Sequence, residues 1–106
     1  MRNEVILHKL IGYVDKITQY CTGRNYSSFS ADSQLVEACV FNLSQMGELV
    51  GKLDDSFLEA HSDIPWRAMR GLRNRIVHDY DGVTLRLVWD VIEGDLPELK
   101  TMLTSI

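Results

Sequence analysis

The side chains with the clearest capacity for chemistry lie between Ile64 and Tyr80. This segment holds four of the eleven basic residues and one of the three histidines, His78. The four basic residues are Arg67, Arg70, Arg73 and Arg75. Guanidinium groups hold carboxylates and phosphates through paired donors. We therefore expect any contact of this acidic protein with phosphate to be local and to use these arginines.

A helix must position these side chains, and it is predicted to begin near Pro65, because proline at the first helical position gives up only an N–H that lacks a partner anyway. At about 100° per residue, one arc of the helix is apolar and holds Trp66, Met69, Leu72, Ile76 and Val77. A polar face holds Arg67, Arg70, Asn74 and His78. Gly71, beside this face, costs about 1 kcal/mol relative to Ala. It predicts a close approach by another backbone or a ligand.

Arg73 does not fit this pattern, because it lies inside the apolar arc between Ile76 and Val77. A buried guanidinium needs an acid or an anion as its partner, since an unpaired interior charge is very costly. Arg73 and His78 are also about 140° apart on one straight helix. They can converge if the arginine side chain curls round the helix, or if two copies of the helix face each other across a dimer.

Composition indicates one compact domain, residues 1–106, with 45% hydrophobic and 25% charged residues. The net charge of −4 argues against general affinity for nucleic acid. Cys21 and Cys39 are too few and too far apart in sequence to suggest a zinc site or a disulfide framework, and we expect them to be buried small hydrophobes. No apolar run approaches the roughly 20 residues of a membrane span, and the first residues lack a signal-peptide pattern. We expect a soluble cytoplasmic protein.

Apolar periodicity predicts four amphipathic helices and no strand. The first runs from about residue 3 to 21 with Asn3 as a cap, and the second from residue 30 or 32 to about 53. The third begins near Pro65, and Thr84 caps the last. Residues 22–28 and 79–83 are predicted as a break and a turn, and residues 54–63 as a loop with a helical turn at 56–59. Pro97 predicts a kink just after Gly94.

Four amphipathic helices with short connections predict an all-α fold, an antiparallel four-helix bundle with a kinked C-terminal helix. Trp66 and Trp89 are expected in its core. Apolar groups left over at Trp66, Met69 and Leu87 favour a homodimer.

The chain resembles the HEPN domains, and within them the HepT-like toxins of HEPN and minimal-nucleotidyltransferase toxin–antitoxin pairs. The resemblance rests on Arg73, His78 and Tyr80, which match the family's arginine, four residues, histidine, one residue, tyrosine. Further matching segments are 47–48, 64–66, 88–89 and 96–99. The match spans the chain from about Ser33 to its end.

This resemblance implies a metal-independent endoribonuclease without a cofactor, built as a homodimer in which Arg73 and His78 of both subunits line one cleft. An imidazole can move protons near neutral pH, and a guanidinium can hold a phosphorane-like transition state. Asn74 would orient the imidazole or contact phosphate, and Arg70 and Arg67 would extend the RNA track. The RNA 2′-hydroxyl would be the nucleophile, leaving a cyclic phosphate, so DNA should not be cut.

The resemblance also implies a partner, a minimal nucleotidyltransferase antitoxin, that attaches AMP to Tyr80. A bulky anionic adduct two residues past His78 would fill the cleft and occupy its arginines. The toxin would thereby be silenced.

The presence of these residues can also be explained by structural roles that involve no catalysis. His78 in the last helical turn is stabilised by the helix dipole, Arg73 can pair with Glu48, and Tyr80 can close the bundle by packing. The other arginines of the segment can be a solvated face. The second hypothesis is therefore a non-catalytic helical dimer that docks a nucleotidyltransferase or a nucleotide.

Overall fold

The computed structural model describes residues 2–78 and 85–106, and the side chains of residues 76–78 lie outside the described part. The described residues form helices joined by short non-helical segments and contain no strand, so the all-α prediction is confirmed. The helices are α1 (Arg2–Tyr20), α2 (Tyr26–Ser30), α3 (Ser33–Val50), α4 (Asp55–Ala60), α5 (Trp66–His78), α6 (Leu85–Asp90), a π-helical segment (Val91–Asp95) and α7 (Leu96–Thr104). None of the helices described is long and apolar enough to cross a bilayer.

The N-terminal end of α1 differs from the sequence prediction, because Asn3 does not cap the helix. α1 already begins at Arg2, which places Asn3 inside its first turn. The Asn3 Nδ2 donates to Asp54 Oδ2 at 3.1 Å, and the Asp54 N–H donates to Asn3 Oδ1 at 3.2 Å. The predicted cap is therefore wrong, and the asparagine ties α1 to the residue before α4.

Two segments predicted as irregular contain short helices. In the first, Ser28 N–H donates to Asn25 Oδ1 and Asn25 N–H donates to Ser28 Oγ, a capping box that starts α2. In the second, α4 is longer than the helical turn predicted at residues 56–59. Of the two predicted starts of α3, residues 30 and 32, the structure has the second: α3 begins directly after Asp32, whose side chain accepts from the Leu35 N–H.

The C-terminal helix is interrupted where Pro97 predicts it, in the form of a π-helical segment. The Leu96 N–H donates to the Val91 carbonyl, five residues back, rather than four. Pro97 lies in the first turn of α7, where its missing N–H costs least. The predicted turn at 79–83 and the Thr84 cap lie outside the described residues.

The core lies where α1 packs on α3 and α7, with α2 between α3 and α6. Phe29 is fully buried, and its ring lies 5.1 Å from that of Trp89. Trp66 is also buried, and its Nε1 donates to the His61 carbonyl at 3.0 Å. Both tryptophans therefore belong to the core, as predicted. The suggestion that Trp66 is left over for a dimer interface is wrong.

Cys21 and Cys39 are buried side by side as free thiols, and their sulfurs share a hydrogen bond of 3.6 Å. Their burial was predicted, whereas their contact was not, because it depends on how the end of α1 meets α3. Burial raises the pKa of both thiols, that of Cys39 to about 12. The folded protein therefore holds the neutral thiol at Cys39.

This burial predicts a loss of stability at alkaline pH. Above the usual thiol pKa of 9.0 the unfolded chain releases the Cys39 proton while the folded chain keeps it up to about pH 12. The unfolded state then binds fewer protons, so the free energy of unfolding falls as pH rises, by about 1.4 kcal/mol per pH unit in that window. Urea unfolding between pH 8 and 10.5 should show a steeper fall in the parent than in Cys39→Ala. Equal slopes would contradict this account.

Candidate functional site

α3 and α5 form an antiparallel pair, and they come very close together at Gly47. A Cβ at Gly47 would overlap the Cβ of Arg73 and lie 3.0 Å from the Met69 carbonyl oxygen. Four residues later, directly after the end of α3, Gly51 faces the guanidinium of Arg70. A Cβ at Gly71 would meet nothing within 4 Å. Within the described chain no backbone comes close to Gly71, and the close approach occurs at Gly47 instead. The alternative of a ligand close to Gly71 stays a prediction.

This packing predicts opposite effects for two glycine-to-alanine substitutions. Gly47→Ala should lower the free energy of unfolding by about 1–3 kcal/mol, because the added methyl group forces α5 away from α3. Gly71→Ala, the matched control on an open side of α5, should raise it by up to about 1 kcal/mol through helix propensity. Urea denaturation of the two variants measures both effects. A stabilised Gly47→Ala variant would contradict this register.

Arg73 is held by two acceptors at the α3–α5 contact. Its Nη2 donates to Glu48 Oε1 at 2.9 Å, and its Nη1 donates to Asn74 Oδ1 at 2.9 Å. The side chain is 26% exposed, and its Nε is buried without a hydrogen-bond partner among the described residues. The ion pair with Glu48, considered from sequence as a structural alternative, is thus present. It fixes the plane of the guanidinium.

Arg73 retains donors for a further ligand. Each Nη carries two hydrogens, and each of the two observed bonds uses one of them. A guanidinium whose plane is already fixed can offer its remaining donors to an anion with little loss of conformational entropy.

Among the described residues, no group of three His, Cys, Asp or Glu side chains is arranged to hold a metal ion.

The polar residues of α5 lie on the same side of the α3–α5 pair as Glu48. Gly47 and Arg73 face each other, and Glu48 and Asn74 are each one residue, or about 100°, further round their helices. In an antiparallel pair, equal rotations from the facing positions lead to the same side. We call this surface the arginine flank. It consists of Arg67, Arg70, Arg73, Asn74 and Glu48.

The structure brings together most, but not all, of the predicted site. Arg67, Arg70 and Asn74 are exposed on the arginine flank. His78 is the last residue of α5, one helical turn after Asn74, and its side chain lies outside the described part. Tyr80, the predicted modification site, also lies outside the described residues.

Arg75 lies on the opposite side of α5, where a groove of about 560 Å³ separates α5 from α7. Apolar side chains line most of this groove, and the charged groups along it are Arg75, Asp95 and Glu98. Met69 and Leu87, proposed from sequence as apolar groups left over for a dimer, line it too. Sequence reasoning missed the groove, because it arises from the separation of two helices and not from a local pattern.

A family model and several relatives all relate this chain to ribonucleases. The family model described as ribonuclease HepT-like matches residues 10–106. A candidate RNase of Caldanaerobacter subterraneus subsp. tengcongensis is 34% identical over 101 residues, which cover 89% of this chain and 90% of that relative. A candidate RNase of Methanocaldococcus jannaschii is 27% identical over 97 residues, 92% of this chain and 84% of the relative.

A third relative, from Thermococcus cleftensis, bears the name probable ribonuclease HepT. It is 29% identical over 87 residues, which cover 82% of this chain and 79% of the relative. No solved structure gives a significant match. A match over nearly the whole helical chain, with the arginine and histidine of the motif on one helix, leads to a single conclusion: the chain belongs to the HepT-like ribonuclease family.

Proposed function

We propose that this protein is the toxin of a toxin–antitoxin pair and that it cleaves RNA through Arg73 and His78 without a metal ion. The observation that carries the proposal is the position of Arg73. Its guanidinium is fixed by Glu48 and Asn74 on the helix that ends at His78. Relatives named as RNases support RNA as the substrate. The proposed place of action is the cytoplasm.

The proposed reaction begins when an imidazole of His78 accepts the proton of an RNA 2′-hydroxyl. The 2′-oxygen attacks the adjacent phosphorus, the bond from phosphorus to the 5′-oxygen breaks, and the leaving oxygen takes a proton from an imidazolium. The products are a 2′,3′-cyclic phosphate and a 5′-hydroxyl. Arg73 stabilises the charge that develops on the phosphoryl oxygens, and Arg70 and Arg67 bind the neighbouring phosphates.

A homodimer completes this mechanism. Arg73 and His78 are five residues apart, about 140° round one straight helix. An in-line displacement places the attacking 2′-oxygen and the leaving 5′-oxygen on opposite sides of the phosphorus, so a separate imidazole at each oxygen serves as base and acid. Two copies that face each other would supply two imidazoles and two guanidinium groups to one cleft. Sedimentation of the purified protein tests this requirement, which a stable monomer with full activity would contradict.

Control of the toxin is proposed to come from a minimal nucleotidyltransferase that transfers AMP to Tyr80. The adduct adds negative charge two residues after His78, where it can bind the cationic side chains that RNA needs. Co-expression with such a partner should add the mass of AMP units to the peptide that contains Tyr80. The modified protein should no longer cleave RNA, whereas a Tyr80→Phe variant should stay active and unmodified.

The experiment that tests the activity compares three matched oligonucleotides in the presence of EDTA. The protein should cleave single-stranded RNA, leave DNA of the same sequence intact, and fail on RNA with one 2′-deoxy nucleotide at the cut position. The product should end in a cyclic phosphate. Cleavage that stops when EDTA is added, or cleavage of the 2′-deoxy substrate, would contradict the mechanism.

A second candidate function follows from the ion pair between Arg73 and Glu48. If this pair serves only to hold α5 on α3, the arginine flank would dock a nucleotidyltransferase or a nucleotide without turnover. That function predicts a stable complex and no cleavage of any RNA in the same experiment.

A further inference from the structure

Phe41 on α3 is 60% exposed, more than any other large hydrophobic residue in the described part of the chain. An aromatic ring usually gains most from burial, since it has a large apolar surface. Packing in the core therefore does not explain why a phenylalanine occupies position 41. Its surroundings suggest a reason for its exposure.

Phe41 lies on the same side of the α3–α5 pair as the arginine flank. It precedes Glu48 by seven residues, or two helical turns, and both side chains are therefore on one stripe of α3. It also precedes Gly47 by six residues, about 9 Å along the helix. Because α5 runs in the opposite direction, this displacement leads towards the end of α5 at His78.

An exposed aromatic ring beside a row of arginines is a combination that suits single-stranded nucleic acid. Guanidinium groups hold the phosphates, and the ring stacks on a base, whatever its identity. Arg67 and Arg70 are exposed on this flank, and the charge of the neighbouring Glu48 is matched by Arg73. The flank thus offers exposed positive charge next to an apolar ring.

We propose that Phe41 is a stacking platform for an RNA base next to the phosphate held by Arg73, an inference that rests on the proposed function. Phe41 would be a positioning residue, since its ring would hold a base and thereby the RNA backbone in place, without touching the atoms that react. The exposed arginines favour an anionic ligand, which in the proposed dimer would lie in the cleft between the two arginine flanks. Stacking accepts every base, so it would fix the position of the strand without selecting a sequence.

The test uses the full chain with His78→Ala, which keeps RNA uncut, and adds Phe41→Trp as a fluorescent probe. A short single-stranded RNA should quench the tryptophan placed at position 41. In an RNA just long enough to span the flank, so that the strand cannot shift another base onto the ring, removing one base at a single position should abolish the quenching and weaken binding about tenfold or more. Phe41→Ala should weaken RNA binding by a similar factor. The Phe41→Ala variant should bind the abasic RNA no more weakly than either change alone predicts, because both changes remove the same stacking contact.

Val5→Ala is the control, because Val5 is 55% exposed on α1, and RNA binding should not change. Two results would overturn the inference. One is equal RNA affinity of the His78→Ala protein with and without Phe41→Ala. The other is a Phe41→Ala variant that sediments as a monomer while the parent is a dimer, which would assign the ring to the contact between copies.

The same experiment separates this inference from the proposed function. If the parent cleaves RNA and Phe41→Ala binds it normally, only the stacking role fails. If the parent cleaves no RNA but the abasic position still abolishes quenching, only the cleavage activity fails. If RNA produces no quenching at all, the stacking role is wrong whatever the cleavage assay shows.

Discussion

His78→Ala should reduce the rate of RNA cleavage by about 10²–10⁴-fold, the usual contribution of a positioned acid–base group. Proton transfer from the 2′-hydroxyl is the step that water performs poorly near neutral pH, and alanine offers no group for it. His78 is the last residue of α5, so its replacement leaves the helix interior unchanged. The single-turnover rate on a 5′-labelled RNA, with circular dichroism to check the fold, measures the effect.

Added imidazole should restore part of the activity of His78→Ala, because the small molecule can enter the space left by the side chain. A role limited to helix stability would not respond to imidazole. His8→Ala is the matched control, since His8 is exposed on α1, away from α5. If His78→Ala cleaves RNA at the parent's rate, His78 is not the proton carrier.

Apolar periodicity was sufficient to predict the main helices, because each long helix buries one stripe of its surface. α1 ends at Tyr20, one residue before the predicted end, and α3 begins at Ser33, close to the predicted start at residue 30 or 32. The short helix α2 was missed, although Asn25 and Ser28 form a capping box that the sequence displays. Its five residues are too few for periodicity to indicate a helix.

Some contacts between distant parts of the chain can be predicted from a local sequence pattern, and others cannot. The pairing of Arg73 was predictable, because a charge inside an apolar arc must find an acid. The meeting of Cys21 with Cys39 has no local signature, since it depends on where α1 ends above α3. The choice of Gly47 rather than Gly71 as the contact point likewise depends on the rotation of α5 about its axis.

Arg73→Ala should lower the cleavage rate by about 10²–10³-fold, the typical cost of removing one donor to a developing oxyanion. Arg73→Lys should remain nearly as inactive, although it keeps the charge and can still pair with Glu48. An ammonium group does not present two parallel donors in the plane that Glu48 and Asn74 define. Single-turnover rates at saturating RNA separate this loss from weaker binding.

Two control variants separate the catalytic role of Arg73 from its role in packing. Arg75→Ala removes an arginine of the same helix that lines the opposite groove, and it should leave the cleavage rate unchanged. Glu48→Gln keeps an acceptor for Arg73 Nη2 but removes the charge. Since Glu48 is 50% exposed, this change should cost no more than about 1 kcal/mol of stability and only a few-fold in rate. If Glu48→Gln and Arg73→Ala instead lose stability and activity in equal measure, Arg73 acts through the ion pair, and the nuclease mechanism needs another group to stabilise its transition state.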